Sequence, residues 1–453
     1  MEMNTRTRTR TQPAKGRRAV VVGGTRTPFV KAFAELLRLD TIALGAAAMR
    51  GLLERHPIPR RQIDAVVWGG VILPSVWPNI GREIALDVGL DPAVPAMTVT
   101  RACASSLQAV TTAATMIERG EADVVIAGGS DSTSNAEVKL PQKLVHALAP
   151  LMFGKRTPAD ILGALGQLAP LGQLLPRAPK VVERTTGQLM GESADQMARR
   201  NEISRAEQDA FALRSHQRAA AAIASGRLAR EIVPVATNGA GGADGHGQTW
   251  IHADTIVRAD TSLEKLAKLR PAFARDGGGS VTAGNSSPLT DGAAAVLMMS
   301  EEKAASLGVT ALARVSAWSY VGVDPADQLL IGPALAIPKV LDDTGRELGD
   351  IDYVDMHEAF AAQVLSVLKV LASAAFARER LGRARAVGDV DPARLNVRGG
   401  SLAFGHPFGA TGARMVTTMS HELHETGKAT ALLGICAQGG LGAAALLENA
   451  SLP

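Results

Sequence analysis

Two stretches half a chain apart follow one plan, and that repetition restricts the fold more than any other feature of the sequence. In the first, Cys103 opens an Ala/Thr/Ser-rich helical pattern to about Glu118, Gly120 stops it, and a strand pattern over 122–127 reaches Gly128-Gly129. In the second, His406 opens a glycine-tolerant helical pattern to about His424, Gly427 stops it, and a strand pattern over 429–435 reaches Cys436 and Gly439-Gly440. Each unit sets a reactive side chain at a helix start, then a glycine stop and a strand ending in a glycine pair. A period of half the chain marks an internal duplication. Apolar strand patterns at 19–24, 63–70, 96–100 and 351–356, with helical periodicity over 36–55, predict a layered α/β architecture.

The 453 residues suffice for two to four domains, and 46% hydrophobic against 3% aromatic residues means cores of Ala, Val, Leu, Ile and Met. No apolar run approaches the roughly 18–20 residues of a membrane span. The opening MEMNTRTRTRTQPAKGRR has no apolar h-region, so it does not read as a secretory signal. The net charge of +4 is local: Arg6, Arg8, Arg10, Lys15, Arg17 and Arg18 stand against Glu2, and the remaining body is nearly neutral. Residues 1–17 read as a disordered basic arm. A neutral body without stacking aromatics excludes a nucleic-acid partner. Two cysteines are too few for a disulfide framework or a zinc cluster and fit a reducing compartment.

Between the repeats the composition changes. Residues 137–182 are rich in Leu, Pro and Gly and carry Lys139, Lys143, Lys155, Arg156, Arg177 and Lys180 against Glu137 and Asp160. They read as short basic amphipathic helices broken by prolines. Such a segment serves either as a lid over a substrate tunnel or as a docking surface for anionic lipid or a partner subunit. Helical patterns continue over 187–224, where Ser204 and Glu207 form a capping box, and 239–247 is a loop tip.

A thiol becomes a nucleophile where its thiolate is stabilised, and a helix start with small residues around it does that for Cys103. His406 lies in GGSLAFGHPFGATGAR, where glycines let backbone approach a ligand and the imidazole can act as a base. VDMHEAFAAQ places His357 and Glu358 at a strand end, where sites of α/β sheets form. From these residues alone, a structural cysteine, a backbone-bonded loop histidine and a polar cap remain open alternatives. His421 and His424 read as solvent-facing, no metal site is expected, and no P-loop or dinucleotide fingerprint is present.

Taken together, RACASSLQA, KLRPAF, VTAGNSSPLTDGAA, HEAF, GGSLAFGHPFGATGAR and CAQGGLG resemble the thiolase family, in its order and at its distances, from about Arg18 to Glu448. HEAF and GHPFGATG look most like the beta-subunit type of the trifunctional fatty-acid oxidation complex. The resemblance implies a duplicated αβαβα layered fold with a mostly helical loop domain inserted in the first half. The halves would be 18–135, completed by 276–309, and 310–453, with the insertion at 136–275. The implied activity is acyl transfer: 3-ketoacyl-CoA and CoA give acetyl-CoA and a shortened acyl-CoA, as in fatty-acid β-oxidation. A biosynthetic acetoacetyl-CoA thiolase running the same steps toward condensation is the alternative.

By the same resemblance, Cys103 carries the acyl group, His406 is its base and Cys436 shuttles the α-carbon proton. His357, which stands where simpler thiolases have Asn, joins His406 in holding the enolate oxygen. The N–H groups of Cys103 and Gln438 would hold the tetrahedral oxyanion. Gln438 departs from the Gly or Ala common in the family, and its side chain is expected to alter acyl preference. Ser287, Asn285 and Met190 match substrate-facing positions for CoA. No cofactor is implied, since CoA and acyl-CoA are substrates. A homodimer or dimer of dimers, a hydratase/dehydrogenase alpha subunit as partner, and a cytoplasmic location in a bacterium, or the mitochondrial matrix in a eukaryote, complete the expectation.

Overall fold

The computed structural model describes residues 16–138, 140–153, 157–167, 181–237, 249–273 and 278–452. Most of the basic arm, the 239–247 loop tip, and Lys139, Lys155, Arg156, Arg177 and Lys180 lie outside the described residues. The chain divides into two compact units, one of 136–182 and one of everything else. Of the span 136–275 expected as an insertion, only 136–182 is a unit of its own. Residues 183–275 pack into the main body, where Glu231 and Asp254 pair with the fully buried Arg26.

The small unit holds two mutually packed helices, Gln142–Phe153 and Pro158–Gln167. Proline heads the second, as its fixed φ and missing N–H favour. Leu140, Val145, Met152, Ile161 and Leu162 are exposed.

The large unit is built on strands β1 (Ala19–Arg26), β2 (Val30–Lys31), β3 (Ala65–Gly69), β4 (Ala96–Val99), β5 (Val124–Ser132), β6 (Val235–Ala236), β7 (Trp250–Ile251), β8 (Thr290–Ser300), β9 (Ala313–Gly322), β10 (Tyr353–Met356), β11 (Thr430–Ala437) and β12 (Leu441–Asn449). β6 and β7 form a separate ribbon. The rest make one sheet in the order β10-β11-β12-β9-β1-β8-β5-β3-β4, with β2 beside β8. Reading outward from the β1–β9 seam, both directions repeat one path. β1 and β9 pair antiparallel with β8 and β12, these pair antiparallel with β5 and β11, and those pair parallel with β3 and β10. The duplicated sequence is a duplicated sheet. The seam itself is thin, joined only at Val20–Arg314 and Val21–Ala313.

Alternation along the strands generates the layers, because successive side chains point to opposite faces. Val20, Val22, Val124 and Ile126 enter an outer core with the helix Thr41–Arg55. Their neighbours Val21, Val125 and Ala127 enter a central core with Leu107, Val110, Ala413 and Val416. In the second half, Leu432 and Leu446 face another outer core with Ile337 and Val364, whereas Leu433 and Leu447 join the central one. Three cores separated by two half-sheets are the five layers αβαβα. Both helices of the central layer, Ser105–Glu118 and Thr411–Thr426, touch strands of both halves.

Local boundaries differ from the sequence expectation in ways that shape the site. Neither central helix starts at its reactive residue. Between His406 and Thr411 the chain makes a 3₁₀ turn, Phe408–Ala410, with Phe408 at φ 24°. β5 does not stop at its glycine pair but continues to Ser132, because Gly129 lets the Gly409 backbone pass where a Cβ would lie 2.1 Å from the Gly409 oxygen. Among the described residues, no single helix is long and apolar enough to cross a membrane.

Candidate active site

Four segments converge in the large unit, three at strand ends and one between two helices. The loop after β4 carries Cys103 in a tight turn, closed by the bonds from Ala104 N–H to the Arg101 oxygen and from Ser105 N–H to the Ala102 oxygen. Ala102 sits at φ 46°, a left-handed conformation that costs an L-residue about 1–2 kcal/mol. Such strain persists only where surrounding contacts impose it. The N–H groups of Gln438 and of Cys103 itself donate to the Cys103 sulfur. Burial nevertheless dominates and pushes the thiol up to about 12, with the charge of Asp131 adding to the rise.

The turn before Thr411 carries His406. Its N–H donates to Thr290 Oγ1 at 3.0 Å, and its Nδ1 lies 2.6 Å from Thr411 Oγ1. The end of β10 carries His357, whose N–H donates to the Gly434 oxygen at 2.8 Å and whose Nδ1 lies 3.0 Å from Ser401 Oγ. With Nδ1 of each ring held by a hydroxyl, Nε2 of each is buried with no hydrogen-bond partner. The ring centroids are 4.1 Å apart, and one donor atom each from Cys103, His357 and His406 lies within 4.8 Å of the other two. Burial and the nearby Arg414 push His406 down to about 3. Burial, then His406 and Arg414, hold His357 well below the usual histidine range.

Cys436, near the end of β11, is buried, and its thiol is raised well above the ordinary value, first by burial and then by Cys103. Beyond it, the turn Gln438–Gly440 depends on left-handed glycines, Gly439 at φ 87° and Gly440 at φ 68°. Glu183 accepts from Gly439 N–H at 3.0 Å and steadies that turn. The structure therefore brings Cys103, His406, His357, Cys436 and the Gln438 backbone to one place. Cys103 and the two imidazoles are also the described residues whose donor atoms could hold a metal ion. A cation there would occupy the lone pairs that base chemistry needs.

The CoA positions fare differently. Ser287 is partly exposed and lies against the 357–360 loop through its N–H bond to the Ala359 oxygen, 2.9 Å. Met190, half-buried at the start of the helix Met190–Arg200, packs on the outer core of the second half. Asn285 is corrected to a scaffold residue. It is fully buried, its Oδ1 accepts from Thr282 N–H, and its Nδ2 donates to Asp209 and the Ser280 oxygen. Of the two distal histidines, His424 is exposed, but His421 is half-buried with a partnerless Nε2 near Glu231.

Sequence reasoning singled out Glu358 but not its anchoring role, and it missed Asn396 and Asp131, which also hold the reactive segments. Glu358 accepts from Ser215 Oγ, Asn396 Nδ2 and Leu402 N–H. A Cβ on Gly400 would lie 2.4 Å from its carboxyl carbon, so that glycine is required. Asn396, at φ 47°, accepts from Met356 N–H and donates to the Met356 oxygen, fixing the strand end beneath His357. Asp131 bonds to the His406 turn. Polar residues in the GGSDS strand end, and Thr411 after GHPFGA, were the available signals.

Two family models match, "Thiolase, N-terminal domain" over residues 19–302 and "Thiolase, C-terminal domain" over 309–449. The chain belongs to the thiolase family. It is 43% identical over 439 residues to the 3-ketoacyl-CoA thiolase of Shewanella halifaxensis, covering 96% of this chain and 98% of that one. Identity to the Vibrio cholerae enzyme of the same name is 44% over 433 residues, covering 96% and 97%. The fold superposes on the Bacillus anthracis acetyl-CoA acetyltransferase with TM-score 0.81 at 32% identity, covering 96% and 99%. For human mitochondrial 3-ketoacyl-CoA thiolase the values are 0.79 and 30%, with the same coverage. The chain is accordingly an acyltransferase of the αβαβα type.

The raised thiol and depressed imidazole mean that Cys103 and His406 rest as a neutral pair. The rate of Cys103 alkylation by iodoacetamide should therefore climb with pH and show no plateau at or below ~8.5, the value for a free thiol. A plateau in the neutral range would mean that the thiolate is already formed at rest.

Proposed function

We propose that the chain cleaves 3-ketoacyl-CoA with CoA to acetyl-CoA and a shortened acyl-CoA. The observation that carries this is the meeting of the Cys103 sulfur with the His357 and His406 rings, whose Nε2 atoms are buried and partnerless, beside the buried thiol of Cys436. Cys103 attacks the 3-keto carbonyl as His406 Nε2 takes its proton. The N–H groups of Cys103 and Gln438, already directed at the sulfur, receive the tetrahedral oxyanion. The bond between C2 and C3 breaks, leaving a thioester on Cys103 and the enolate of acetyl-CoA. His406 Nε2–H and His357 Nε2–H hold the enolate oxygen, and Cys436 gives its proton to the α-carbon. Acetyl-CoA leaves. The Cys436 thiolate then takes the proton of incoming CoA, whose sulfur attacks the thioester, and His406 returns its proton to Cys103. No cofactor enters these steps.

Run backwards, the same steps are a condensation, and the geometry serves both directions. Ser287 and Met190 are the pantetheine contacts in this reading, in an enzyme that forms a homodimer or dimer of dimers and works in the cytoplasm of a bacterium or the mitochondrial matrix of a eukaryote. The exposed apolar residues of the small unit favour an added role in docking, to a membrane surface or to a hydratase/dehydrogenase subunit.

Three measurements test these points. Mass spectrometry after incubation with acetyl-CoA should find an acetyl adduct on Cys103 that is absent in Cys103→Ser; modification only elsewhere sinks the assignment. Gln438→Gly should shift the chain-length profile of turnover by roughly tenfold or more, as one pocket contact is worth about 1–3 kcal/mol. An unchanged profile and rate removes Gln438 from acyl selection. Vesicles of anionic lipid should co-sediment with the full chain and not with a deletion of residues 140–176, whereas equal binding by both ends the membrane reading.

A further inference from the structure

Asp131 has no part in the steps above, yet it is fully buried in the large unit beside the nucleophile. Its carboxylate accepts from Ile72 N–H at 2.6 Å, Val71 N–H at 3.0 Å and Gly409 N–H at 2.6 Å. One side chain thus ties together the end of β5, the segment after β3 and the turn that carries His406. The tie is closely walled. A Cβ on Gly409 would lie 2.8 Å from Asp131 Oδ2 and 2.9 Å from Gly70 Cα.

The duplication gives this position a second meaning. Across β5–β8, Asp131 pairs with Gly292, which Ala293, Ala294 and Ala295 follow; across β11–β12, Cys436 pairs with Gly442, which Ala443, Ala444 and Ala445 follow. The parallel ladders agree. They end at Gly69–Gly129 and Met356–Gly434, and Asp131 and Cys436 lie equally far beyond. Asp131 and Cys436 are one position in the two halves. Each strand end also serves the reactive loop of the opposite half. Just past Cys436, Gln438 N–H meets the Cys103 sulfur, and just past His406, Gly409 N–H meets the Asp131 carboxylate. One copy of the position has become a proton carrier and the other an anchor.

We propose that Asp131 is a positioning residue for the thiolase reaction: its carboxylate fixes the 405–410 turn, and through it the His406 imidazole, where proton transfer from Cys103 requires it. The proposal rests on the reading of Cys103 as nucleophile and His406 as base. Asparagine cannot replace the aspartate: with its one amide oxygen kept on Ile72 and Val71, where Asp131 Oδ1 lies, its NH2 group faces the Gly409 N–H that Oδ2 accepts, donor against donor.

Asp131→Asn should lower kcat by roughly 10–100-fold, the cost of misplacing a catalytic group by about 1 Å. KM should stay within about twofold, since substrate contacts are untouched. Burial pushes Asp131 itself up to about 7, so the comparison is made above pH ~8, where its carboxylate is ionised; there Cys103 should react faster with iodoacetamide than in the wild type, because the negative charge that raises its thiol is gone. Gly409→Ala breaks the same tie from the other side and keeps the charge, so it should lose turnover without faster alkylation. A merely structural defect would slow both reactions together, and that result, or Asp131→Asn turnover within about twofold of the wild type, overturns the proposal. Acetylation of wild-type Cys103 in the same assays separates the two readings. An acetylated wild type with an unimpaired variant removes the role of Asp131 alone, and an unacetylated wild type removes the nucleophile assignment and this proposal with it.

Discussion

The site exists because two helices touch backbone to backbone. Ser105–Glu118 and Thr411–Thr426 cross where Gly412 meets Leu107, and a Cβ at Gly412 would lie 2.5 Å from Leu107 N. The next residue locks the crossing, Ala413 N–H donating to Ser106 Oγ at 2.8 Å. Because each helix begins just past a reactive residue, bringing the two starts together brings Cys103 and His406 together. Side chains between the helices would hold them at the usual 8–10 Å between axes. Glycine and alanine at the contact are therefore a condition of the chemistry as well as of the packing, and the Ala-rich, aromatic-poor composition follows from it.

Around this crossing two sets of buried charges close on themselves. Arg26 pairs with Glu231 and Asp254, lies over the rings of Phe29 and Phe404, and so fastens those two acids to β1 and to the helix before the His406 turn. Glu231 reaches on to Thr418 of the central helix. Glu358 does the same service for the 357–360 loop through Ser215, Asn396 and Leu402. Such sets add little net stability over apolar packing, but losing one member strands the others in a medium where an unpaired charge costs several kcal/mol. They fix which loop lies against which. That is what a site assembled from four chain segments requires.

The sequence exposed what repeats and what is rare. The matching helix–glycine–strand units disclosed the duplicated fold, and two cysteines with two motif-bound histidines pointed to the side chains that the structure gathers in one place. What stayed hidden depends on contacts distant in sequence. Nothing local to GGSDS says that Asp131 will meet a turn 278 residues away. Nor does NSS say that Asn285 will spend its amide on Asp209. The expected insertion failed to separate as one piece because 183–275, although helical and outside the repeat, carries the partners of Arg26. His421 read as exposed by its spacing, but its face of the helix is covered by Glu231 and its neighbours. Periodicity reports which face is apolar and not what the rest of the chain lays over it.

The electrostatic logic of the site then follows from burial. After burial itself, the positive charge of Arg414, in the central helix and 3.3 Å from Asp355, depresses both imidazoles. It disfavours imidazolium without touching the reacting atoms. Low surrounding polarity keeps Cys103 a thiol for the same reason. A pre-formed thiolate–imidazolium pair would spend its stabilisation on the resting enzyme, where it does nothing for rate. In the proposed reaction charge separates only as the sulfur attacks, and the groups that meet it, the backbone N–H groups at the sulfur and the two imidazoles, are already in place. Interactions made only as charge develops lower the barrier. The neutral resting pair, the partnerless Nε2 atoms and the strained Ala102 turn are thus three expressions of one arrangement: a site assembled for a charge that is not yet there.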